Sequence, residues 1–371
     1  MIENHTSQGS YSRKIIIALG FTTMISFFLY LPALWSFFTK SDAIAVNFYS
    51  YGDAFENATF YEFTKETGIT VNVKVFESNE ELLAQFEING GSSYDVASPS
   101  DYMVEILHEK GLIQEINTSL LTNYTQLDNR LLNRNFDPGN KYSVPYEWSY
   151  FGLGYDKRFF GETLPVESWA MIFSDKLPGM ERNFKICIPD DPRELILLSS
   201  LYLYKEARNF TPKRLVEIKN LLIKQETWTE SYIQESLNKY FIASGIVPLI
   251  VIQSGSMAEL IKTNDNFGFI VPKEGTLISV ENLVIPKGSK KSVAAHKLID
   301  YILSEKVLLD AYGKCGYFPS NKHALHEIEK QAPPEKSLIP KDSLFSQLHP
   351  FHNEIGLRYI SDLWLKVQTA Q

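Results

Sequence analysis

Cysteine is nearly absent. The 371 residues contain only Cys187 and Cys315, so no disulfide framework staples this fold, and two reduced, buried thiols are expected. The signatures of several chemistries are missing as well. There is no G-x-S-x-G, no Walker loop, no G-x-G-x-x-G and no C-x-x-C, which removes the strongest sequence signs of an enzyme. Ser254-Gly255-Ser256 reads as a loop rather than a nucleophile turn. His323-x-x-His326 and His349-x-x-His352 have a spacing that sets two imidazoles on one helical face, but Pro350 spoils the second pair. Neither pair has a cysteine or carboxylate set beside it, so both read as surface histidines, and no metal or cofactor is expected. Long runs of one charge, internal repeats and low-complexity linkers are also absent. With a net charge of −8, that balance argues against nucleic acid and is compatible with a cationic small ligand.

Hydrophobic residues make up 44% of the chain, with 24 Phe and 20 Tyr, ample for two domains with real cores. The N-terminus reads as a targeting element. Arg13-Lys14 precedes an uncharged run over 15–38, longer than the ~7–15 residues of a usual signal core and long enough to span a bilayer. Ala43-Ile44-Ala45 has the small-x-small form of a cleavage site, so residues 1–43 fit a cleaved signal peptide or an uncleaved anchor. In both cases the basic flank stays cytoplasmic and the bulk of the chain is exported. Losing residues 1–43 leaves a net charge of −9.

From residue 45 onward, strand and helix patterns alternate, which implies parallel sheets covered by helices. Strands are expected over 46–49, 69–76, 95–97, 184–188, 246–252 and 267–271, with extended runs over 143–148 and 281–286. Helices are expected over 55–66, 80–86, 194–206 and 294–311, with a last one over 355–367. Gly68 is a helix stop. After Val96-Ala97, Ser98 suits an N-cap, with Pro99 at N1 and Asp101 at N3. Ligands in open α/β sheets sit beyond the carboxyl ends of strands, which puts Ser100, Asp101 and Tyr102 at a ligand mouth. Ordinary capping of a strand–helix unit explains the same residues. Pro189-Asp190-Asp191-Pro192-Arg193-Glu194 is a second such junction, with Asp191 as N-cap and Glu194 at N3 of a capping box. Helix N-termini attract anions, so carboxylates at Asp101, Asp191 and Glu194 reverse the sign of these mouths. Lined also by tyrosines, such a cleft suits an amine, whose charge carboxylates and aromatic faces both attract.

Several blocks, in order, carry a family resemblance: Phe63-Thr64-Lys65-Glu66-Thr67-Gly68-Ile69, Tyr94-Asp95 with Pro99-Ser100 and Tyr102, and Phe136-Asp137-Pro138 with Tyr142-Ser143-Val144-Pro145-Tyr146. Trp169, Asp190-Asp191 with Arg193-Glu194, Pro272-Lys273-Glu274-Gly275 and Gly316-Tyr317 continue it. Nearly the whole exported chain resembles the periplasmic spermidine/putrescine-binding proteins that feed ABC importers. The resemblance implies an α/β, two-lobed periplasmic binding protein of type II, each lobe a mainly parallel sheet flanked by helices, with the ligand in the inter-lobe cleft. Lobe 1 would comprise residues 44–150 and 281–325, and lobe 2 residues 151–280 and 326–371. It further implies a monomer that captures a polyamine without catalysis and passes it to permease subunits at the inner membrane.

Carried over position by position, the resemblance implies ligand contacts at Ser100 and Tyr102 in the first lobe and carboxylates at Asp191 and Glu194 in the second. Glu281 stands where the family has an aspartate for another amine, Tyr317 matches an aromatic cleft residue, and Tyr51 and Asp53 occupy the first-strand loop. The chain departs from the family at its cleft tryptophans: Tyr51, Gln253 and Ser279 stand in their places, and Ala54 replaces a tyrosine. Each cation–π contact is worth roughly 0.5–2 kcal/mol, so the class of ligand is better defined than its length, and another cationic amine or small solute fits as well. An exported enzyme or adhesin-like protein on the same scaffold is the remaining reading; it requires a nucleophile–base pair or a metal trio in the cleft, and the sequence offers neither.

Overall fold

The computed structural model describes residues 30–31, 44–52, 54–331, 338–339 and 341–370, the side chains of 235 and 236 excepted. The expected export segment therefore lies almost wholly outside the described residues, as do Asp53 and residues 332–337. Among the described residues, no helix is long and apolar enough to cross a membrane.

Strands β1 (Ala45–Tyr51), β2 (Thr70–Phe76) and β3 (Val96–Ala97) are parallel, with β1 in the middle. Parallel neighbours need crossover connections, supplied by α1 (Tyr61–Thr67) and α2 (Asn79–Asn89). Gly68, at φ 70°, ends α1 in the left-handed conformation expected of it. After β3 comes α3 (Asp101–Glu109), with Ser100 as its N-cap rather than Ser98. Ser98 is occupied elsewhere. Its N–H donates to Tyr49 O (3.0 Å) and its hydroxyl accepts from the Tyr51 N–H (2.7 Å). On the other side the Asn282 N–H donates to Pro99 O (2.9 Å). Residues 98–100 are thus claimed by sheet hydrogen bonds on both flanks, and the helix starts only when they end.

The central strand β4 (Ser143–Asp156) is buried along all 14 residues. The second half of the chain again alternates strands with helices. It runs through β5 (Ile186–Pro189), α4 (Pro192–Tyr204), α5 (Pro212–Glu226), β6 (Thr229–Ile233), β7 (Leu249–Gln253), α6 (Ser254–Thr263) and β8 (Phe267–Ile270). A second wholly buried strand, β9 (Thr276–Pro286), returns through the middle. The sheet order is β2-β1-β3-β9-β4-β7-β5-β6. Three parallel strands stand at each end, and the antiparallel pair β4/β9 joins them. Along β4, residues from Ser143 to Tyr150 pair with β9, and from Phe151 onward with β7. This is the two-lobed α/β architecture expected from the sequence.

Two further expectations are corrected. The helix expected over 294–311 is two helices, α7 (Ser292–Ile302) and α8 (Glu305–Cys315), broken where the Ser304 N–H and hydroxyl both turn back to Tyr301 O. The second ends at Gly316, at φ 72°. Ser254-Gly255-Ser256 is not a loop but the buried first turn of α6, anchored by the Tyr150 N–H donating to Ser254 Oγ (3.2 Å). The short β10 (Phe318–Pro319) pairs with β4, α9 (Lys322–Gln331) follows, and β11 (Leu348–Pro350) pairs with β9. The closing α10 (Leu357–Gln368) buries Ile360, Leu363, Trp364 and Val367 against the second half, with the Trp364 ring edge-on to Tyr232 at 4.8 Å. Both cysteines are free thiols, Cys187 buried in β5 and Cys315 half-buried at the end of α8.

Candidate functional site

The β4/β9 pair builds the floor of the site. Glu281 on β9 lies directly opposite Glu147 on β4, and Ser279 directly opposite Ser149. Opposed residues of an antiparallel pair have Cβ atoms about 4.5–5.5 Å apart on one face, so two carboxylates and two hydroxyls share that face. The next residue across from Glu281 is Ser100, in an isolated antiparallel bridge. Ser100, Glu281 and Glu147 therefore form one row across the sheet. Behind it, the Ser279 hydroxyl donates to Glu281 Oε1 (2.8 Å) and the Ser149 hydroxyl donates to Gln253 Oε1. Gln253 and Ser279 thus belong to a hydrogen-bonded polar wall.

A strand buried on both faces should be apolar, and Glu147 and Glu281 break that rule at 3% and 7% exposure. Burial, and then the charge of Glu281, push the Glu147 carboxyl up to about 8. The groups placed to offset this are weak: the Tyr146 hydroxyl, which makes no well-formed hydrogen bond with a described residue, and the Cys315 thiol, which donates to Glu147 Oε2 at 3.8 Å. Asp101, at the start of α3, is also fully buried. Its Oδ1 accepts from the Tyr102 N–H (2.9 Å), while its Oδ2 has no hydrogen-bond partner among the described residues. Burial raises its carboxyl well above the usual range, and Glu281 adds to the effect.

The walls come from the starts of two helices. Asp191 caps α4 as expected, its Oδ1 accepting from the N–H groups of Arg193 (2.8 Å) and Glu194 (3.1 Å). Burial raises its carboxyl above the usual range, those two N–H groups lower it, and the neighbouring Glu80 charge raises it further. Glu194 stands half-buried further along the same turn. Tyr102 is buried, its hydroxyl donating to Glu80 Oε1 (3.3 Å). The Arg193 guanidinium lies 4.4 Å from the Tyr102 ring centroid, and the same side chain donates to His352 O (3.3 Å). The first and second halves of the chain therefore touch at this point. Tyr51, at the end of β1, is half-buried against Phe76 (5.4 Å between centroids). Tyr317 is half-buried, its ring lying over Gly255, where any Cβ would overlap it. Asp53 lies outside the described residues.

The structure thus brings Ser100 and Glu281 together, joins Tyr102 to the Asp191 turn through Arg193, and sets Gln253 behind the carboxylate row. Two acids of the site are absent from the expectations above: Glu80 beside Tyr102, and Glu147. For Glu147 a signal existed, a lone carboxylate inside an otherwise strand-like run. What the sequence lacked was its register against Glu281. Among the described residues, no group of three His, Cys, Asp or Glu side chains has the form of a metal site.

Known proteins resemble this chain over most of its length. A spermidine/putrescine-binding periplasmic protein of Salmonella typhimurium is 29% identical over 320 residues, covering 85% of this chain and 88% of that protein. One from Haemophilus influenzae, spermidine/putrescine-binding periplasmic protein 1, is 29% identical over 313 residues, with 84% of each chain covered. Among solved structures, a spermidine/putrescine ABC transporter substrate-binding protein from Streptococcus pneumoniae superposes with a TM-score of 0.72 at 26% identity, covering 88% of this chain and 98% of that one. The model of the bacterial extracellular solute-binding protein family matches residues 58–337. With the family model covering more than half of the chain, the chain belongs to that family.

Proposed function

We propose that this chain captures a polyamine, of the size of putrescine or spermidine, outside the cytoplasmic membrane and hands it to the permease of an ABC importer at the inner membrane. The observation that carries this reading is the concentration of carboxylates, Glu80, Asp191, Glu281 and Glu147, around a cleft floored by the strands that join the two halves. Carboxylates neutralise ammonium groups through charge-assisted hydrogen bonds, and relatives of similar length are named for binding spermidine and putrescine. The reading is of capture rather than catalysis and of a monomer whose lobes, 44–150 with 281–325 and 151–280 with 326–371, close on the ligand. Residues 1–43 serve as signal peptide or anchor. Ligand contacts fall to Tyr51, Asp53, Ser100, Tyr102, Asp191, Glu194, Gln253, Glu281 and Tyr317. A different cationic amine is the second reading, favoured by the hydrogen-bonded wall of Ser149, Gln253 and Ser279, which offers hydrogen bonds rather than aromatic cover.

A panel of putrescine, cadaverine, spermidine and agmatine, read by melting temperature and calorimetry, tests it. A ligand at 100 times its Kd stabilises by about 2.7 kcal/mol. Glu194→Gln removes charge while keeping shape; it is expected to leave the ligand-free melting temperature nearly unchanged and to weaken amine binding at least tenfold. Glu115→Gln, exposed and away from the cleft, is expected to bind like the parent. Parent-like binding by Glu194→Gln would remove the cleft assignment at its centre.

A further inference from the structure

We propose that Glu147 is a further binding residue, which forms with Glu281 a two-carboxylate seat for one terminal ammonium of the amine and gives up, when that ammonium arrives, the proton the two acids share without it. The seat rests on the amine reading and deepens it. Three observations meet at this point. First, the two carboxylates face each other across the antiparallel pair on one face, both more than nine-tenths buried.

Second, the strand is bent here. Glu281 pairs with Glu147 but Asn282 pairs with Pro145, so Tyr146 is the extra residue of a β-bulge. Bulges re-aim side chains beside functional sites, and this one also accommodates Pro145, which a central strand otherwise rejects. Third, the buried polar groups around the pair are under-satisfied. The Tyr146 hydroxyl, fully buried and in the field of both carboxylates, makes no well-formed hydrogen bond with a described residue, and neither does Asp101 Oδ2. Native structures leave few such groups without reason, and an ammonium brings three donors and a positive charge to this spot.

The groups that act on Glu147 are Tyr146 on its own strand, Glu281 on β9 and Cys315 at the end of α8; no lysine or arginine is among them. Beyond these stand Asp101 on α3, with Arg134 in its field, and Glu259 on α6, in that of Cys315. Two carboxylates so placed cannot both ionise cheaply without a cation. The exchange balances simply: the ammonium enters with its charge, one proton leaves to solvent, and no bond in the ligand changes.

Calorimetry of putrescine with the parent at pH 7, in two buffers of different ionisation heat, reads the proton count directly. About one proton released per amine is expected, falling towards zero by pH 9. Glu147→Gln is expected to bind at least tenfold more weakly and to release none, while Glu147→Asp restores release. Putrescine binding by the parent without proton release, or Glu147→Gln with undiminished affinity or release, overturns the seat and leaves the amine reading standing. A parent that binds no amine of the panel overturns both.

Discussion

At the scale of single residues, the site stores unfavourable charge. Glu147, Asp101 and Asp191 all have carboxyls raised by burial. A carboxyl whose folded pKa is raised stabilises the fold below its unfolded value of ~4.3 and loses that contribution as pH rises through the folded value. For Glu147 the window therefore runs from about 4.5 to about 8. The ligand-free protein is expected to lose stability across it by on the order of a few kcal/mol, visible as a falling melting temperature. Glu147→Gln should flatten the profile and raise the melting temperature at pH 8; a profile unchanged by that substitution would mean Glu147 titrates normally. The Asp191 cap was legible from sequence because its whole logic lies within four residues. Glu147 was not, since its partner is 134 positions away and the pairing depends on a bulge at Tyr146.

At the scale of elements, most strands and helices were legible, because periodicity and capping chemistry are local. Two of the errors fell where a distant element claims the residues. Ser98 has the composition of an N-cap, yet its hydroxyl serves the Tyr51 N–H and the helix waits for Ser100. Ser254-Gly255-Ser256 has the composition of a loop, yet Tyr150 and Tyr317 bury it as a helix start. Gly316 shows how tightly these elements meet: it ends α8 at φ 72°, and a Cβ there would stand 2.5 Å from Gly255 O. Gly316→Ala is expected to destabilise by at least ~1 kcal/mol, from the left-handed backbone alone. It should also weaken amine binding, because the clash pushes α6 away from Tyr317. An alanine variant with parent-like melting would show that the α6–α8 junction yields easily. At the Asp191 turn, Asp191→Ala should cost about 1 kcal/mol of folding stability, with Asp191→Asn recovering most of that but not the affinity.

At the scale of the whole molecule, the parallel trios and their connecting pair were legible as a fold class, but the contacts that hold the halves together were not. They join residues from opposite halves of the sequence: Arg193 with Tyr102, and the Asn353 N–H with Glu105. Arg193 is the centre of this group. It follows the Asp191 cap on α4, so the capping turn that orients the carboxylates also aims a guanidinium at the opposite wall. A cation over an aromatic face is worth about 0.5–1 kcal/mol when exposed and roughly 2 when desolvated. Arg193 is 5% exposed, which favours the upper end. An energy of that size shifts a two-state equilibrium by one to two decades, enough to bias the lobe closure proposed above. Arg193→Met keeps the apolar stem and removes the planar cation. In solution scattering it is expected to give a larger radius of gyration than the parent without amine, and saturating putrescine should bring the two together, since in the proposed binding mode carboxylate–ammonium contacts supply closing energy independently. Equal radii without amine would show that the Arg193–Tyr102 contact follows closure rather than holding it.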